Sequence, residues 1–526
     1  MPEPKFPAPR FRSASLRPCL PASFLFLLLL LMAFALPPLA FALPPLTAQE
    51  LELLPGEPVV TQHTATIRGE TVRYSAEAGT LPIREEGKVM ARMFYIAYTR
   101  SDLPEGTVRP LLFSFNGGPG TASVWMHMGY TGPRRVQYDD DGFQLQPPVG
   151  LEDNPESVLD VADIVYIDPI ATGFSRMVEG EDPHMYHGTL SDIESVGEFI
   201  RLYILRKNRW ASPKFVIGES YGTTRASGLA GHLADAHQIY LNGVILVSMT
   251  GLDVASGPDV SFATSLPQYA ATAWYHQQLA PAHQNRDIAE FLAEVEGFAL
   301  DTYLPVLARG DQIDEATRRR IAVQVAEYTG LSTDYVLAAN LRISSSRFWR
   351  ELLRDQRLTV GRLDSRYVGI DRDAAGETPE YDPAMADWDG PFGNAVNLYL
   401  RQELGYDPDL KYNVWGPVRP WNRDDGTNVG EMLRSAMQAN PYMKVLIQGG
   451  YFDAATDYFS AVYTISHLQP GGEFKDRFRF AWYESGHMMY LRKPDLANSN
   501  QDLRDFIAWC LEENPSYPYE VRPAGG

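Results

Sequence analysis

Cysteine is nearly absent from this chain. Its 526 residues include two, Cys19 and Cys510. So few cysteines exclude a cysteine-rich metal site. If the N-terminal segment is removed on export, only Cys510 remains, which excludes an intramolecular disulfide in the mature chain. Stability must then come from packing, and 45% apolar with 12% aromatic residues are enough for a large core.

Positive charge is also scarce. The chain has 46 Lys and Arg against 66 Asp and Glu, a formal net charge of −20. Nucleic acids and anionic membrane surfaces attract basic proteins, so we expect neither as a partner. A complete metal-binding motif is missing as well, because His184 and His187 beside Asp182 are more typical of a solvated turn. We therefore expect no metal and no cofactor.

The first 48 residues differ from the rest. Their basic residues are Lys5, Arg10, Arg12 and Arg17. An apolar run over 24–36 follows, then two prolines and a small-residue site at Ala40-Phe41-Ala42. This order is typical of a secretory signal peptide. Because apolar residues continue to about Leu46, an uncleaved membrane anchor is the alternative. In both cases the body of the protein is exported, to the periplasm or the medium.

Hydrophobic patterning predicts one α/β sheet interrupted by an insertion. Alternating segments within 49–110 indicate antiparallel edge strands. Short apolar runs at 111–115, 164–167, 215–217 and 244–247 are typical of buried parallel strands joined by helices. The pattern stops near 250 and resumes at 444–448 and 478–483, followed by a helix over 503–511.

These patterns predict four parts of the chain. They are the N-terminal segment 1–48, a first part of the sheet core 49–250, a mostly helical cap 251–435 and a second part of the core 436–526. Residues rich in Pro, Gly, Asp and Trp, such as 387–393, predict connectors within the cap.

Gly218-Glu219-Ser220-Tyr221-Gly222 stands between a strand-like run and a helix-like run. A Gly-x-Ser-x-Gly sequence at such a junction is typical of a nucleophile elbow, in which small glycines let the chain turn sharply and expose the serine. Ser220 is therefore the candidate nucleophile.

A serine hydroxyl needs a base, and the base needs an orienting acid. In α/β hydrolases the order is Ser, acid, His. His467 and His487 are late enough, and His487 is favoured because it follows the strand at 478–483, whereas His467 lies in a helical stretch. Asp453, after the strand at 444–448, is the expected acid, with Asp457 as its competitor.

The oxyanion of an acyl-transfer intermediate needs backbone donors. One is expected from Tyr221, directly after the nucleophile. The second is expected from the turn Asn116-Gly117-Gly118-Pro119-Gly120, which follows the strand at 111–115.

Four motifs in this order resemble those of the serine carboxypeptidases, peptidase family S10. They are Asn116-Gly117-Gly118-Pro119-Gly120, Ile167-Asp168-Pro169 with Gly173-Phe174-Ser175, Gly218-Glu219-Ser220-Tyr221-Gly222 and Ser485-Gly486-His487-Met488. The resemblance spans about residues 111–490, and the cap is too divergent to compare.

The resemblance implies an α/β-hydrolase fold, with a mostly parallel sheet between helices, and release of C-terminal amino acids from peptides. It implies a triad of Ser220, Asp453 and His487, with the amides of Gly118 and Tyr221 as the oxyanion hole. It further implies that the substrate carboxylate is bound by three residues: Asn116, Gly117 and Glu219. Two carboxylates in contact repel unless one is protonated, so the resemblance predicts activity that favours acidic pH.

Two positions depart from the family pattern. Tyr130 stands where the family commonly has a second glutamate, so half of a shared-proton clamp is missing. We expect Tyr130 to donate a hydrogen bond instead, or Arg134 or Arg135 to supply charge. Thr121 stands where the family usually has a cysteine, which agrees with the lack of disulfides.

Other functions use the same residues. An esterase or acyltransferase would employ the same Ser-Asp-His triad, and no motif separates these reactions from peptide hydrolysis. A catalytically silent binding protein would have lost a member of the triad or of the oxyanion hole, and none is lost here. Four tryptophans are candidates for the substrate cleft, with core packing as the alternative: Trp125, Trp274, Trp388 and Trp415.

Overall fold

A ten-stranded mixed sheet is the central element of the structure. The structure is a computed structural model that describes residues 53–178, 180–252, 254–423 and 426–512. The predicted segment 1–48 lies outside these ranges. The strands are β1 Val59–Ile67, β2 Glu70–Glu85, β3 Lys88–Arg100, β4 Leu111–Phe115, β5 Arg134–Val136, β6 Leu151–Asp153, β7 Asp163–Ile167, β8 Arg176–Met177, β9 Lys214–Glu219, β10 Gly243–Val247, β11 Thr359–Val360, β12 Val368–Gly369, β13 Lys444–Gly450 and β14 Phe478–Tyr483.

Helices connect these strands, with short 3₁₀ and π turns between them. The α-helices are α1 Thr189–Arg206, α2 Tyr221–His237, α3 Pro258–Thr264, α4 Leu266–Tyr275, α5 Pro281–Gln284, α6 Ile288–Phe298, α7 Leu304–Ala308, α8 Glu315–Thr329, α9 Thr333–Ala338, α10 Ser345–Glu351, α11 Pro383–Leu398, α12 Val429–Ala439, α13 Tyr458–Leu468 and α14 Lys493–Leu511. Within the described ranges, no helix is long and apolar enough to span a bilayer.

The strand order is β1-β2-β3-β7-β4-β9-β10-β13-β14, with β8 paired to β3. The first three strands run antiparallel at one edge, as the alternating pattern predicted. From β7 to β14 all neighbours are parallel. The prediction of a mostly parallel α/β-hydrolase sheet is therefore confirmed.

The inner parallel strands β7, β4, β9, β10 and β13 are buried at every residue, because helices cover both faces of the sheet. In β9, Phe215 and Ile217 pack into one core and Val216 into the other. The first core includes Phe506 of α14, and the second includes Leu229 of α2. Continuous burial of this kind explains why these strands lack an alternating pattern.

Between β10 and β13 the described chain is mainly helical, with one short antiparallel pair, β11 and β12. Residues of α4, α6 and α8 form a third core. We keep the division at 251 and 435 as a proposal, and note that α12 runs through residue 435.

Two expectations about local structure were wrong. The residues 387–393 are not a connector but part of α11, with Pro391 inside it. Trp388 and Phe392 are fully buried on one face, and Asp382 caps the first turn, which together outweigh the breaking tendency of Pro and Gly. The last helix begins ten residues earlier than expected, at Lys493, because Pro494 is compatible with a first turn.

Candidate active site

Ser220 lies in a sharp turn between β9 and α2. Its backbone has φ 58° and ψ −128°, a conformation that non-glycine residues seldom adopt. The turn is closed by Gly218, where an added Cβ would lie 2.1 Å from the carbonyl oxygen of Gly222. Only glycine fits there, which gives the Gly-x-Ser-x-Gly spacing its physical reason. The Ser220 side chain is left partly exposed.

The glycine turn after β4 touches this elbow. A Cβ added to Gly117 would lie 2.4 Å from the backbone nitrogen of Tyr221, so the two backbones are in direct contact. Gly118 follows with φ 105°, which favours glycine. The two expected donors, the amides of Gly118 and Tyr221, thus belong to adjoining turns beside Ser220.

A buried ion pair braces both turns. Arg225 is bound to Asp192 by two hydrogen bonds of 2.8 and 3.1 Å, and both residues are buried. Arg225 also donates to the carbonyl oxygen of Asn116 at 2.7 Å, while Tyr221 donates its hydroxyl to Asp192 at 3.1 Å. The pair therefore links the loop after β4 to the residue that follows Ser220.

The sequence motif at Asp168 also supports the glycine turn. Asp168 accepts a hydrogen bond of 2.8 Å from the backbone of Ser123. Its backbone carbonyl accepts another, of 2.6 Å, from the hydroxyl of Ser175. Asp168 is buried, and burial raises its pKa to about 6. We therefore expect this motif to stabilise the loop that follows the glycine turn, and not to contact the reacting atoms.

His487 and Asp453 are joined by a hydrogen bond of 2.7 Å between Nδ1 and Oδ2. The other oxygen of Asp453 accepts from the backbone nitrogens of Ala455 and Thr456 at 2.9 and 3.0 Å. The Thr456 hydroxyl donates to Asp453 Oδ2 at 2.7 Å. Asp453 is therefore held by four donors and can orient one nitrogen of His487.

The loop of His487 is tied to the strand beside the elbow. Ser248 donates its hydroxyl to the His487 carbonyl oxygen at 2.8 Å, and the preceding Val247 accepts from the Ser220 backbone nitrogen at 3.0 Å. The Ser220 hydroxyl has no hydrogen-bond partner in the described part of the chain. In unliganded enzymes the contact between nucleophile and base is often long and shortens with substrate.

The protonation of His487 reflects its surroundings. Burial opposes the charged ring, but the negative charge of Asp453 and the hydrogen bond to it outweigh burial, so the pKa of His487 is above its usual value. The ring is thus able to hold a proton taken from a serine hydroxyl.

Asn116 and Glu219 form a buried cluster next to Ser220. Asn116 Oδ1 accepts from the backbone nitrogens of Trp125 and Met126, at 3.1 and 3.0 Å, which directs its amide nitrogen to Glu219 Oε1 at 3.0 Å. Tyr490 donates its hydroxyl to Glu219 Oε2 at 2.5 Å. Burial raises the pKa of Glu219 to about 7. A carboxyl group that is half protonated near neutrality can face another carboxylate without repulsion.

Tyr130 does not take the role expected for it. Its hydroxyl donates to Gln448 Oε1 at 2.8 Å and to the Ser499 carbonyl at 3.2 Å, while its ring stacks on Tyr490 with centroids 4.9 Å apart. Arg134 is paired with Glu403, and Arg135 lies against Glu152. The tyrosine that reaches the cluster is therefore Tyr490, three residues after His487.

A second support was also invisible in the sequence. Asp364 and Arg366 form a buried ion pair of 2.6 Å. Asp364 accepts from the backbone nitrogen of Gly486 at 3.1 Å, and the His487 backbone nitrogen donates to Leu363 at 2.7 Å. This stretch from the predicted cap thus fixes the loop of His487. Tyr490 lies three residues after His487, but nothing in the sequence indicates its contact with Glu219, and Asp364 lies in no motif.

The competing residues lie elsewhere. Asp457 caps α13, where it accepts from the Ser460 backbone nitrogen at 2.8 Å, and it has no contact with His487. His467 is bound within the same helix to the Tyr463 carbonyl. Of the four tryptophans, Trp415 is the most exposed, at 46%, whereas Trp125 and Trp388 are buried. Within the described residues no group of three or more His, Cys, Asp or Glu is arranged to hold a metal ion.

Comparisons with known proteins give a family match for part of the chain. The sequence profile of the family described as serine carboxypeptidase matches residues 68–307, a range that includes the glycine turn and Ser220. A search of curated proteins gave no significant match.

Among solved structures, the chain is similar to a prohormone-processing carboxypeptidase from Saccharomyces cerevisiae, with 16% identity and a TM-score of 0.50. This match covers 82% of the chain and 91% of the yeast protein. A proline iminopeptidase from Mycobacterium smegmatis matches with 14% identity and a TM-score of 0.33, over 82% of the chain and 98% of that enzyme. A carboxyl esterase from Bacillus coagulans matches with 13% identity and a TM-score of 0.35, over 82% and 97%. Only the first score is high enough to support the fold.

Proposed function

We propose that this chain, whose residues 68–307 match the serine carboxypeptidase family, releases C-terminal amino acids from peptides through an acyl-enzyme on Ser220. The observation that carries the proposal is the buried cluster of Asn116, Glu219 and Tyr490 beside the serine. A general esterase does not require a carboxylate site next to its nucleophile, whereas an exopeptidase does. The substrate class is therefore peptides with a free C terminus.

In the proposed mechanism His487 removes the proton of Ser220 as the hydroxyl oxygen attacks the scissile carbonyl. Asp453 holds the Nδ1 proton of His487, so that the other ring nitrogen is free to act as the base. The amides of Gly118 and Tyr221 donate to the oxyanion. His487 then protonates the leaving amine, and water attacks the acyl-enzyme in a second cycle of the same proton transfers.

Recognition of the C terminus is assigned to Asn116, the Gly117 backbone and Glu219. One hydrogen of the Asn116 amide is donated to Glu219, and the proposal assigns the other to the substrate carboxylate. Protonated Glu219 donates to the substrate carboxylate, and ionised Glu219 repels it. The raised pKa of Glu219 thus keeps the site competent up to about neutral pH.

This assignment predicts how activity depends on pH. For a blocked dipeptide with a free carboxylate, kcat/KM should fall as pH rises through about 7, because Glu219 loses its proton there. The amidated form of the same dipeptide should be cleaved poorly and without this decline. Glu219→Gln, which carries no titrating proton, should remove the decline for the free acid.

The test measures the free acid, its amide and a simple ester of the same acyl group from about pH 4 to 8. Equal cleavage of ester and free acid, with no effect of the free carboxylate, would favour the esterase or acyltransferase and reject the exopeptidase. A rate for the free acid that keeps rising from pH 6 to pH 8 would contradict the role of Glu219.

A separate prediction concerns Tyr490. Its hydrogen bond stabilises the ionised form of Glu219 and so lowers the pKa of that carboxyl. Tyr490→Phe should therefore move the alkaline decline to higher pH, by about one unit, which is the size expected for one hydrogen bond to a charged group. The measurement is the pH profile of kcat/KM for the free acid.

Tyr130→Phe is the matched control, since it removes a buried hydroxyl from the ring stacked on Tyr490. Its hydroxyl bonds to Gln448 and Ser499, so the decline should stay in place. A shift with Tyr130→Phe and none with Tyr490→Phe would reverse the assignment.

The cellular location follows from a segment outside the described residues. We propose that residues 1–48 direct export, either as a cleaved signal or as an anchor, and that the enzyme acts in the periplasm or the medium. Sequencing the N terminus of the mature protein distinguishes the two forms.

A further inference from the structure

A cavity of about 250 Å³ borders the proposed triad. Its wall is built by the loop after β10, by α3 and by the first turns of α13. Thr456 belongs to this wall and also contacts the triad, with its hydroxyl 2.7 Å from Asp453 Oδ2 and 3.3 Å from His487 Nδ1. The volume is enough for several water molecules or for one long side chain.

The cavity is lined by both apolar and polar residues. Leu252 and Tyr463 supply part of the apolar wall. Asp457 is its one carboxylate among the described residues, with the hydroxyls of Thr264 and Ser460 beside it. An aliphatic stem with a charged end matches such a lining.

Asp457 forms no ion pair with a cation of the described chain. Its partners are the backbone nitrogen and hydroxyl of Ser460, at 2.8 and 2.9 Å, and the hydroxyl of Ser265 at 3.3 Å. Burial raises the pKa of Asp457 to about 6, and the nearby Asp453 adds to the rise. The side chain is only partly exposed to solvent. An ion that is buried without an opposite charge is costly.

The role of Asp457 as a helix cap does not explain this charge. Asn and Ser cap helices as well as Asp does, because the cap needs only an oxygen acceptor. One oxygen of Asp457 accepts a hydrogen bond from the Ser460 backbone nitrogen. The second oxygen accepts hydrogen bonds from two hydroxyl groups, those of Ser460 and Ser265. An incoming cation would therefore gain a buried carboxylate partner.

The strand order decides which part of a substrate would meet the cavity. Strands β4, β9 and β10 lie side by side. Asn116 follows β4, Ser220 follows β9 and Thr250, in the cavity wall, follows β10. The C-terminal residue of the substrate is assigned to the β4 side of Ser220, so the residue on the acyl side extends toward β10.

We propose that this cavity receives the side chain on the acyl side of the scissile bond and selects arginine or lysine through an ion pair with Asp457. The inference rests on the proposed function, because the direction of the substrate follows from carboxylate binding at Asn116 and Glu219. It names the substrate class: peptides with a basic residue next to the last one.

The test compares blocked dipeptides that differ only at the acyl-side residue. Arginine is set against citrulline, its neutral analogue of nearly the same shape, with the same C-terminal leucine. For the wild type, kcat/KM should be about ten- to a hundredfold higher with arginine, the range expected for a hydrogen-bonded charge pair. In Asp457→Asn, which keeps the cap and loses the charge, the ratio should approach one.

Two further variants serve as controls. Asp457→Ser keeps a cap oxygen by a different side chain and should give the same loss of preference. Asp314→Asn removes a charge from the cap of α8, far along the chain, and should leave the preference intact. Loss of preference with Asp314→Asn would assign the effect to net charge and overturn the inference.

Failure of this inference is distinguishable from failure of the proposed function. Equal cleavage of the arginine and citrulline peptides by the wild type, both dependent on the free carboxylate, would reject the basic subsite and keep the carboxypeptidase. A second peptide pair carries arginine or citrulline as the C-terminal residue; a preference that depends on Asp457 in this pair and is absent from the first pair would overturn the acyl-side placement. Indifference of every peptide to its free carboxylate would reject the proposed function first.

Discussion

Replacing Ser220 with alanine is expected to lower kcat for peptide hydrolysis about a million-fold, the scale seen when a serine hydrolase loses its nucleophile. No covalent intermediate can form without the hydroxyl, and the remaining groups only stabilise charge. The variant should stay folded, because the Ser220 hydroxyl makes no hydrogen bond in the described chain. Alanine also has to adopt the same positive φ, so the strain of the turn is little changed.

Ser227→Ala is the matched control for this prediction. Ser227 lies in α2, which begins directly after Ser220; it is fully buried, and its hydroxyl has no hydrogen-bond partner in the described chain. Its loss should leave kcat near that of the wild type. An enzyme without its nucleophile should keep far less than about one per cent of its activity. If Ser220→Ala kept more than that, the assignment of the acyl-enzyme to Ser220 would be wrong.

The second large effect is expected for Asp453→Asn, with kcat reduced about ten-thousand-fold. One oxygen of Asp453 accepts from the backbone nitrogens of Ala455 and Thr456. Asparagine must keep its carbonyl oxygen there, so its NH₂ group faces Nδ1 of His487. Because that group donates, His487 would have to carry its proton on the other nitrogen, which is the one that has to act as the base.

The same substitution at Asp457 separates the two acids. Asp457 does not contact His487, so Asp457→Asn should cost far less than Asp453→Asn with a peptide that has a neutral acyl-side residue. Loss of the Asp453 charge should also lower the pKa of His487, since that charge raises it. The acid side of the rate profile should then move to lower pH. A larger loss with Asp457→Asn would move the acid of the triad to that residue.

The central sheet could be predicted because its strands are short, apolar and spaced by helices. That pattern follows from burial on both faces and needs no knowledge of distant contacts. The helix Pro383–Leu398 could not be predicted, since the local signals of Pro391 and its glycine neighbours indicate a break. Its helix is formed through burial of Trp388 and Phe392, which depends on partners far along the chain.

The candidate site shows the same division. The elbow and the glycine turn could be predicted, because close backbone contact leaves glycine as the only choice and the glycines are visible in the sequence. Asp453 and Asp457 are four residues apart in similar surroundings, so their different partners appear only in three dimensions. The contact of Tyr490 with Glu219 joins residues 271 positions apart, and no local pattern records it.

The most direct measurement of the central claim is a time course of digestion of one unblocked peptide, followed by mass spectrometry at about pH 6, with Ser220→Ala as the background. The proposed function predicts stepwise loss of single residues from the C terminus, and an amidated copy of the same peptide that is largely resistant. Internal cleavage products, or equal digestion of the amidated copy, would contradict it.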